Sequence, residues 1–352
     1  MISMSIIELI ANGCVFAANK QFEKAESFFH RAIQDADWDN QEVVDAHFYL
    51  SLVYLVQGNY KDGFREFEWR KEIDDPLNEY YRKTYKLLRT WYGQNLNGKR
   101  ILVYAEQGVG DGLQFFRYLK HLKEAGAYVI LHIHKPTGPL FFEHPWVDSV
   151  VMADVNEQFQ PPPHDYHCSL MSLPYLLNNF SVSGEPYIHV KPKEIVFGPD
   201  MNVGIVWGGT QHHPNDKNRS IPLRHFKKLS AAKLWGLQVE PRPDLGDETF
   251  YTDLTPSIRN MVDTAHFLHN LDLLICCDTS IAHLAGAIGT PCWLLLPCMP
   301  DWRWGLDSEK TGWYNSLRLF RQSTPGDWEE VFERVSKALR DRIIMREMLN
   351  ET

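Results

Sequence analysis

In the first part of the chain apolar residues recur every three to four positions, whereas from Lys99 onward they come in short unbroken runs separated by turn residues. The first spacing predicts helices with one buried face, the second strands buried on both sides. The segment Gln21-Phe22-Glu23-Lys24-Ala25-Glu26-Ser27-Phe28-Phe29 can be laid on Asn59-Tyr60-Lys61-Asp62-Gly63-Phe64-Arg65-Glu66-Phe67, thirty-eight positions later. A frame of roughly 34 residues per helix pair, started at Ile6, puts Gly13, Phe16, Ala25, Phe29 and Ala32 on its small and aromatic positions. A second frame from Val44 puts Leu50, Ser51, Tyr54, Gly63 and Phe67 there, the extra residues enlarging a turn around Trp38-Asp39-Asn40-Gln41. Small residues are needed where paired helices touch, and aromatics fill the gap between pairs. Arrays of this kind need about three units to close a core, so the two repeats of the 1–95 domain should lean on the following helical stretch from Asn78 to Tyr92 and, through it, on the α/β body of the chain.

Arg100 to Ala105 reads as a buried strand, Gly108 to Gly112 as a turn and Leu113 to Ala125 as an amphipathic helix ended by Gly126. Strands at Tyr128 to Ile133 and Ser149 to Met152 complete a βαβ alternation, the start of a Rossmann-like domain spanning 96–197. The proline-rich stretch from Tyr187 to Pro199 reads as a connection. A second α/β unit, 198–352, comes next, with strands at Asn202 to Trp207, Leu271 to Cys277 and Cys292 to Leu296. Helices are expected at Leu223 to Leu234, Ile281 to Ile288 and Asp327 to Met348. The fold class is therefore α/β, two Rossmann-like domains preceded by an all-α repeat domain.

With 44% hydrophobic and 23% charged residues the composition is that of a soluble globular protein. The net charge of −9 with no basic block argues against nucleic acid or an anionic membrane as partner. Any anion has to be held locally. The six cysteines lack C-x-x-C spacing and read as reduced thiols. The start of the chain lacks a basic stretch before an apolar core, and no run approaches the roughly 20 apolar residues of a membrane span. A cytoplasmic protein is the expectation.

Gly108-Val109-Gly110-Asp111-Gly112 stands after a strand and before a helix, where a phosphate-binding loop would stand. His132, Ile133, His134 and Lys135 take the place of the acid that a dinucleotide reader needs, which disfavours NAD. Asp111 fits a carboxylate cap of the following helix, and it fits equally a general base on a glycine-cleared loop. The glycines beside it tilt the balance toward catalysis, because a cap needs only one small neighbour.

Further on, Thr279 and Ser280 lie at the mouth of a helix whose first amides and dipole favour an anion such as a pyrophosphate. His283, one turn in, can donate to a phosphate oxygen. Asp278 suits a sugar hydroxyl or the helix cap. The same residues fit a capped structural helix with a buried histidine. The loop from Gly208 and Gly209 to Ser220 is long and polar, and Lys217 and Arg219 are its candidate cations. The Asp-x-Asp copies, Asp35-Ala36-Asp37 and Asp37-Trp38-Asp39, lie in a repeat turn and read as solvated acids. No metal or other cofactor is expected, the diphosphate being neutralised by amides, Arg219, Lys217 and His283. Pro300 to Gly305 with Trp313-Tyr314 is aromatic enough to stack a sugar or base, or to pack a domain edge.

From about Lys99 to Leu339 the chain resembles GT-B glycosyltransferases related to bacterial heptosyltransferases, in the branch carrying tetratricopeptide repeats. The matching pieces are Glu66-Phe67-Glu68-Trp69-Arg70, Gly110-Asp111 with Gln114-Phe115 and Arg117-Tyr118, Asn218 to Leu223, Asp278-Thr279-Ser280 with His283-Leu284-Ala285-Gly286, and Asp301-Trp302-Arg303-Trp304. The resemblance implies a nucleotide-sugar donor bound in the second domain, an acceptor in the first, and inversion at the sugar carbon. It maps the base onto Asp111, the loop cation onto Arg219, the donor loop onto Asp278, Thr279, Ser280 and His283, and a position near the nucleotide onto Gln238. After Gln238 the sequence Val239-Glu240-Pro241-Arg242-Pro243 departs from the glycine-rich continuation of that family. The expected activity is a metal-independent inverting glycosyltransferase acting on a protein or glycan acceptor that the repeats could recruit. An inactive repeat-based scaffold and a nucleotide-sugar epimerase are the competing readings.

Overall fold

A computed structural model describes residues 4–36, 40–85, 88–153, 157, 160–247 and 249–350. The turn expected around Trp38, and with it Asp37 and Asp39, lies outside the described residues. The chain opens with two antiparallel helix pairs, α1 (Ile6–Ala18) with α2 (Phe22–Asp35) and α3 (Gln41–Val56) with α4 (Tyr60–Phe67). Ser5 starts α1 with a capping box, its side chain accepting from the Glu8 amide while Glu8 accepts from the Ser5 amide. The small residues act as their spacing predicts. A β-carbon at Gly13 would stand 2.6 Å from the Phe29 ring, and one at Gly63 2.7 Å from Leu55. A 3-10 turn, Glu68–Glu72, leads to α5 (Pro76–Tyr85).

Two fully parallel sheets come after the helices. The first has the order β3-β2-β1-β4, built from β1 (Arg100–Tyr104), β2 (Tyr128–Ile133), β3 (Ser149–Met152) and β4 (Tyr166–Ser169). Between β1 and β2 lie α6 (Val109–Phe115), a 3-10 turn and α7 (Leu119–Glu124), and α8 (Leu173–Leu176) follows β4. The helix expected from Leu113 thus begins at Val109. With Gly108 in extended conformation at the N-cap, the glycine turn is the first turn of α6.

The second sheet has the order β10-β9-β8-β5-β6-β7. Its strands are β5 (Asn202–Val206), β6 (Lys233–Gly236), β7 (Thr252–Asp253), β8 (Leu273–Cys277), β9 (Cys292–Leu296) and β10 (Leu317–Arg321). Read from β7 this is the doubly wound order 3-2-1-4-5-6, whose direction reverses between β5 and β8. Its helices are α9 (Asp216–Arg219), α10 (Met261–Asn270), α11 (Ser280–Ile288) and the long α12 (Trp328–Asn350). The helix expected over Leu223 to Leu234 is a 3-10 turn, Leu223–Leu229, and its last residues belong to β6. Pairing of Val203 with Leu234 beside β5 outweighs the local helical spacing.

The connection between the sheets is anchored rather than loose. The Tyr187 and Ile188 amides both donate to the Ala287 carbonyl at the end of α11, and the Tyr187 hydroxyl donates to Leu113 O at 2.8 Å. The helical region touches both halves. Tyr81 and Tyr85 of α5 stack on Tyr104 of β1 with centroids 4.9 and 4.5 Å apart. Phe64 of α4 meets Phe115 of α6 at 6.0 Å and Trp302 of the second half at 5.8 Å. Tyr60 lies 5.7 Å from Trp313. Trp302, Trp304 and Trp313 are buried, so the aromatic stretch is packing between regions. Among the described residues no helix is long and apolar enough to cross a membrane.

Truncating Trp302 to alanine removes one of the rings that join α4 to the second half. A loss of about 3–5 kcal/mol of unfolding free energy is expected from denaturant titration. Limited proteolysis should then release the helical region first.

Candidate active site between the two sheets

The site lies at the carboxyl ends of β5 and β8, where the second sheet reverses direction and its loops part. Opposite stands the first turn of α6. Between them is a cavity of about 640 Å³ whose walls include Gly108 to Asp111 from the first half and Arg219, Asp278 to Ile281 and His283 from the second. The two ends of the cavity wall are in direct contact at Gly110. A β-carbon there would fall 2.8 Å from His283 Cδ2 and 3.5 Å from Ser280 Cα, so glycine is what lets α6 and α11 meet.

Asp111 has the cap geometry and also lines the cavity. Its Oδ2 accepts from the Gly108 amide at 2.9 Å, the cap geometry, and its Oδ1 accepts from Arg303 Nη2 at 2.5 Å. Burial raises its pKa above the ordinary carboxylate value despite Arg303 and the Gly108 amide, which act the other way. A carboxylate raised in this fashion is a better base. Arg303 is the residue that sequence reasoning missed as a functional group. Besides Asp111 it donates to Gln114 Oε1 and, from Nη1, to Asp301 Oδ1 at 2.9 Å, and it stacks 4.3 Å over the Trp302 ring. Its only signal in the chain was its place in Asp301-Trp302-Arg303-Trp304.

On the other wall, Thr279 is the extended N-cap of α11 but makes no side-chain capping bond, and its buried Oγ1 has no protein partner. With the unpaired first amides of the helix it forms a cradle for anionic oxygens. Asp278 does not cap the helix. Burial, reinforced by the Asp301 carboxylate, pushes its pKa up to about 6. His283 is buried, with Nδ1 2.9 Å from the Tyr314 hydroxyl. Burial first, then Arg303 and Arg117, holds it well below the usual imidazole value, so it is neutral and its other nitrogen lies toward Gly110. Arg219 donates from Nη1 to the Asp278 carbonyl at 3.1 Å, while its buried Nε makes no hydrogen bond and faces Asp216 Oδ1 at 4.0 Å.

Three expected residues are placed differently. Lys217 is exposed on α9 and outside the cavity wall. Gln238 reaches the wall, but its amide is fully engaged with backbone. Its Oε1 accepts from the Trp207 and Gly208 amides at 3.1 and 2.9 Å, and its Nε2 donates to the Gly208 and Glu240 carbonyls. It shapes the loop rather than offering groups to a ligand. Gly112 packs behind the site, where a β-carbon would touch Ile133 at 3.4 Å. Gly208 and Gly209 do line the cavity, each giving room to a guanidinium, Arg242 and Arg219 respectively. Arg242 accounts for the unusual sequence after Gln238. It is buried and binds Asp216 at 2.9 Å, Asp244 at 2.8 Å and the Gly209 carbonyl at 2.7 Å, tying the two loops of this wall together.

No family model matches the chain. Protein FlbA of Caulobacter vibrioides is 24% identical over an alignment covering 86% of this chain and 56% of that protein. The chain thus spans about half the length of the curated relative it matches. Among solved structures, the glycosyl transferase family 9 protein of Veillonella parvula superposes with a TM-score of 0.50 at 14% identity, covering 70% of this chain and 92% of that one. The Escherichia coli ADP-heptose lipopolysaccharide heptosyltransferase II gives 0.49 at 12% identity over 70% and 99% of the two chains. The two-sheet body of this protein therefore has the GT-B-like fold of the family 9 structure.

The raised pKa of Asp278 predicts a pH effect. Its neutral form is favoured by the fold, so the associated stability is present below about pH 4, the unfolded value, and is lost as pH rises to about 6. Asp278→Asn should remove that fall, leaving the variant more stable than the wild type at pH 7 by on the order of 3 kcal/mol. Denaturant melts of both proteins at several pH values measure it; parallel curves would contradict the burial argument.

Proposed function

We propose that the protein is a metal-independent, inverting glycosyltransferase that moves a sugar from a nucleotide-sugar donor to a protein or glycan acceptor. The observation carrying this reading is that Asp111 and the Asp278 to His283 junction, far apart in sequence, line one cavity between two parallel sheets. In the proposed reaction Asp111 takes the proton of an acceptor hydroxyl as that oxygen attacks the sugar carbon from the face opposite the diphosphate. The carbon–oxygen bond to the diphosphate breaks, and the sugar carbon is inverted.

Negative charge then gathers on the departing diphosphate. It is met by the amides at Thr279 and Ser280, the Thr279 hydroxyl, the Arg219 guanidinium and the free nitrogen of His283. These fixed donors supply what a divalent cation supplies elsewhere. Arg303 holds the Asp111 carboxylate in place and limits how basic it becomes. In the same reading 1–95 is a tetratricopeptide-like domain, 96–197 carries the acceptor side and 198–352 the donor side of a cytoplasmic enzyme. The spacing of Gly13, Ala25, Phe29, Gly63 and Phe67, and the helix contacts those residues make, support the repeat assignment.

Calorimetry against a panel of nucleoside diphosphates, in buffer containing a chelator, tests the proposal. One of them should bind, Arg219→Ala should weaken it about 10- to 100-fold, and Asp111→Asn should bind as the wild type does while losing sugar transfer. Failure of every diphosphate to bind would instead favour a scaffold.

A further inference from the structure

The loop that leads into Asp111 is fixed from outside its own sheet. Arg70, in the 3-10 turn after α4, is 2% exposed and makes contacts with three separate parts of the chain. Its Nε donates to Glu106 Oε1 at 2.9 Å and its Nη1 to the Phe67 carbonyl and Glu68 Oε1, both at 2.9 Å. Its Nη2 donates to Glu106 as well, and to Ser169 and Ser172 at 3.2 and 3.0 Å. Ser169 also donates to Glu106. One residue before Glu106, the Ala105 carbonyl accepts from the Tyr81 hydroxyl of α5 at 2.8 Å. One residue after it, Gln107 is held at φ +63°, a left-handed conformation unusual for a residue with a β-carbon. The next residue is Gly108, whose amide binds the Asp111 carboxylate.

We infer that Arg70 of the helical region is a positioning residue for the base Asp111, acting through Glu106 and the Gly108 amide. The inference rests on the glycosyltransferase reading for the role of Asp111, but not for the geometry. It makes the helical region part of the active centre. The groups around Asp111 are Arg303 and Asp301 from the turn after β9, Glu106 from its own loop, His283 from α11, and His213 from the loop after β5. Arg70 pairs the Glu106 carboxylate and keeps the Gly108 N–H pointed at Asp111, which favours its ionisation. Losing Arg70 leaves Glu106 buried and unpaired, so that it takes up a proton, and frees the Gly108 amide, which raises the pKa of Asp111.

Three variants separate charge from geometry. In Arg70→Met, kcat should drop about a hundredfold, as expected for a base displaced by an ångström, with the donor KM unchanged. The acid limb of its pH profile should move upward by about one pH unit. Arg70→Lys keeps the charge but loses the planar fork, so its acid limb should stay near the wild-type position while kcat recovers only in part. The pair Arg70→Met with Glu106→Gln replaces the unpaired acid by a neutral amide and should leave the limb and kcat where Arg70→Met alone puts them. A purely structural role would lower stability in all three without moving the limb.

Amide hydrogen exchange at Gly108 supplies a readout that needs no turnover. The amide should be protected in the wild type and lose protection in Arg70→Met, while nucleoside diphosphate binding and the exchange of α11 are retained. Unchanged Gly108 protection in a folded Arg70→Met protein overturns the inference whether or not the chain transfers sugar. Absence of diphosphate binding by the wild type would count against the glycosyltransferase reading alone, leaving the exchange result to decide the role of Arg70.

Discussion

The contact between α6 and α11 at Gly110 is the constraint on which the site depends. Each half of the molecule contributes one end of a helix that follows a strand, and each helix starts with groups facing the same space. Only because position 110 lacks a β-carbon can His283 and the first turn of α11 come against the turn that carries Asp111. With that distance set, Arg303 can reach Asp111 from the far side of the interface and Gln114 beside it. A larger residue at 110 would separate Asp111 from the first turn of α11.

The balance of charge in the cavity follows from burial. Asp111, Asp278 and Asp301 crowd against two guanidiniums, Arg219 and Arg303, with a neutral His283 between the halves. Low solvent access makes an isolated carboxylate costly, and this raises Asp278 and Asp111 together.

Much of this was legible in the sequence. Buried parallel strands announce themselves as apolar runs, so β1, β2, β5, β8 and β9 could be read directly, and the residues just after β1 and β8 follow from the rule that loops at carboxyl ends carry function. Short or edge strands such as β4, β6 and β7 have too few residues to show a period, and their pairing partners lie far away in the chain. The role of Arg303 was hidden for the same reason, since its partner Asp111 lies 192 positions earlier and the two tryptophans flanking it suggested packing. Lys217 had the right charge and the right loop. One turn of α9 nevertheless points it to solvent and Arg219 inward, a distinction of helical phase that a list of loop residues does not contain.

The helical region is fastened at both ends of the cleft, to the first half through Arg70 and Tyr81 and to the second through Trp302 and Trp313. Such a strap limits how the molecule can breathe. Swinging the two sheets apart about the 187–199 connection would have to pull a buried guanidinium off Glu106 or draw an indole out of its aromatic nest, both of which are costly. Opening the cleft therefore carries the cost of breaking one of these contacts, and the spacing between Asp111 and the first turn of α11 is held by the helical region as well as by the close approach at Gly110.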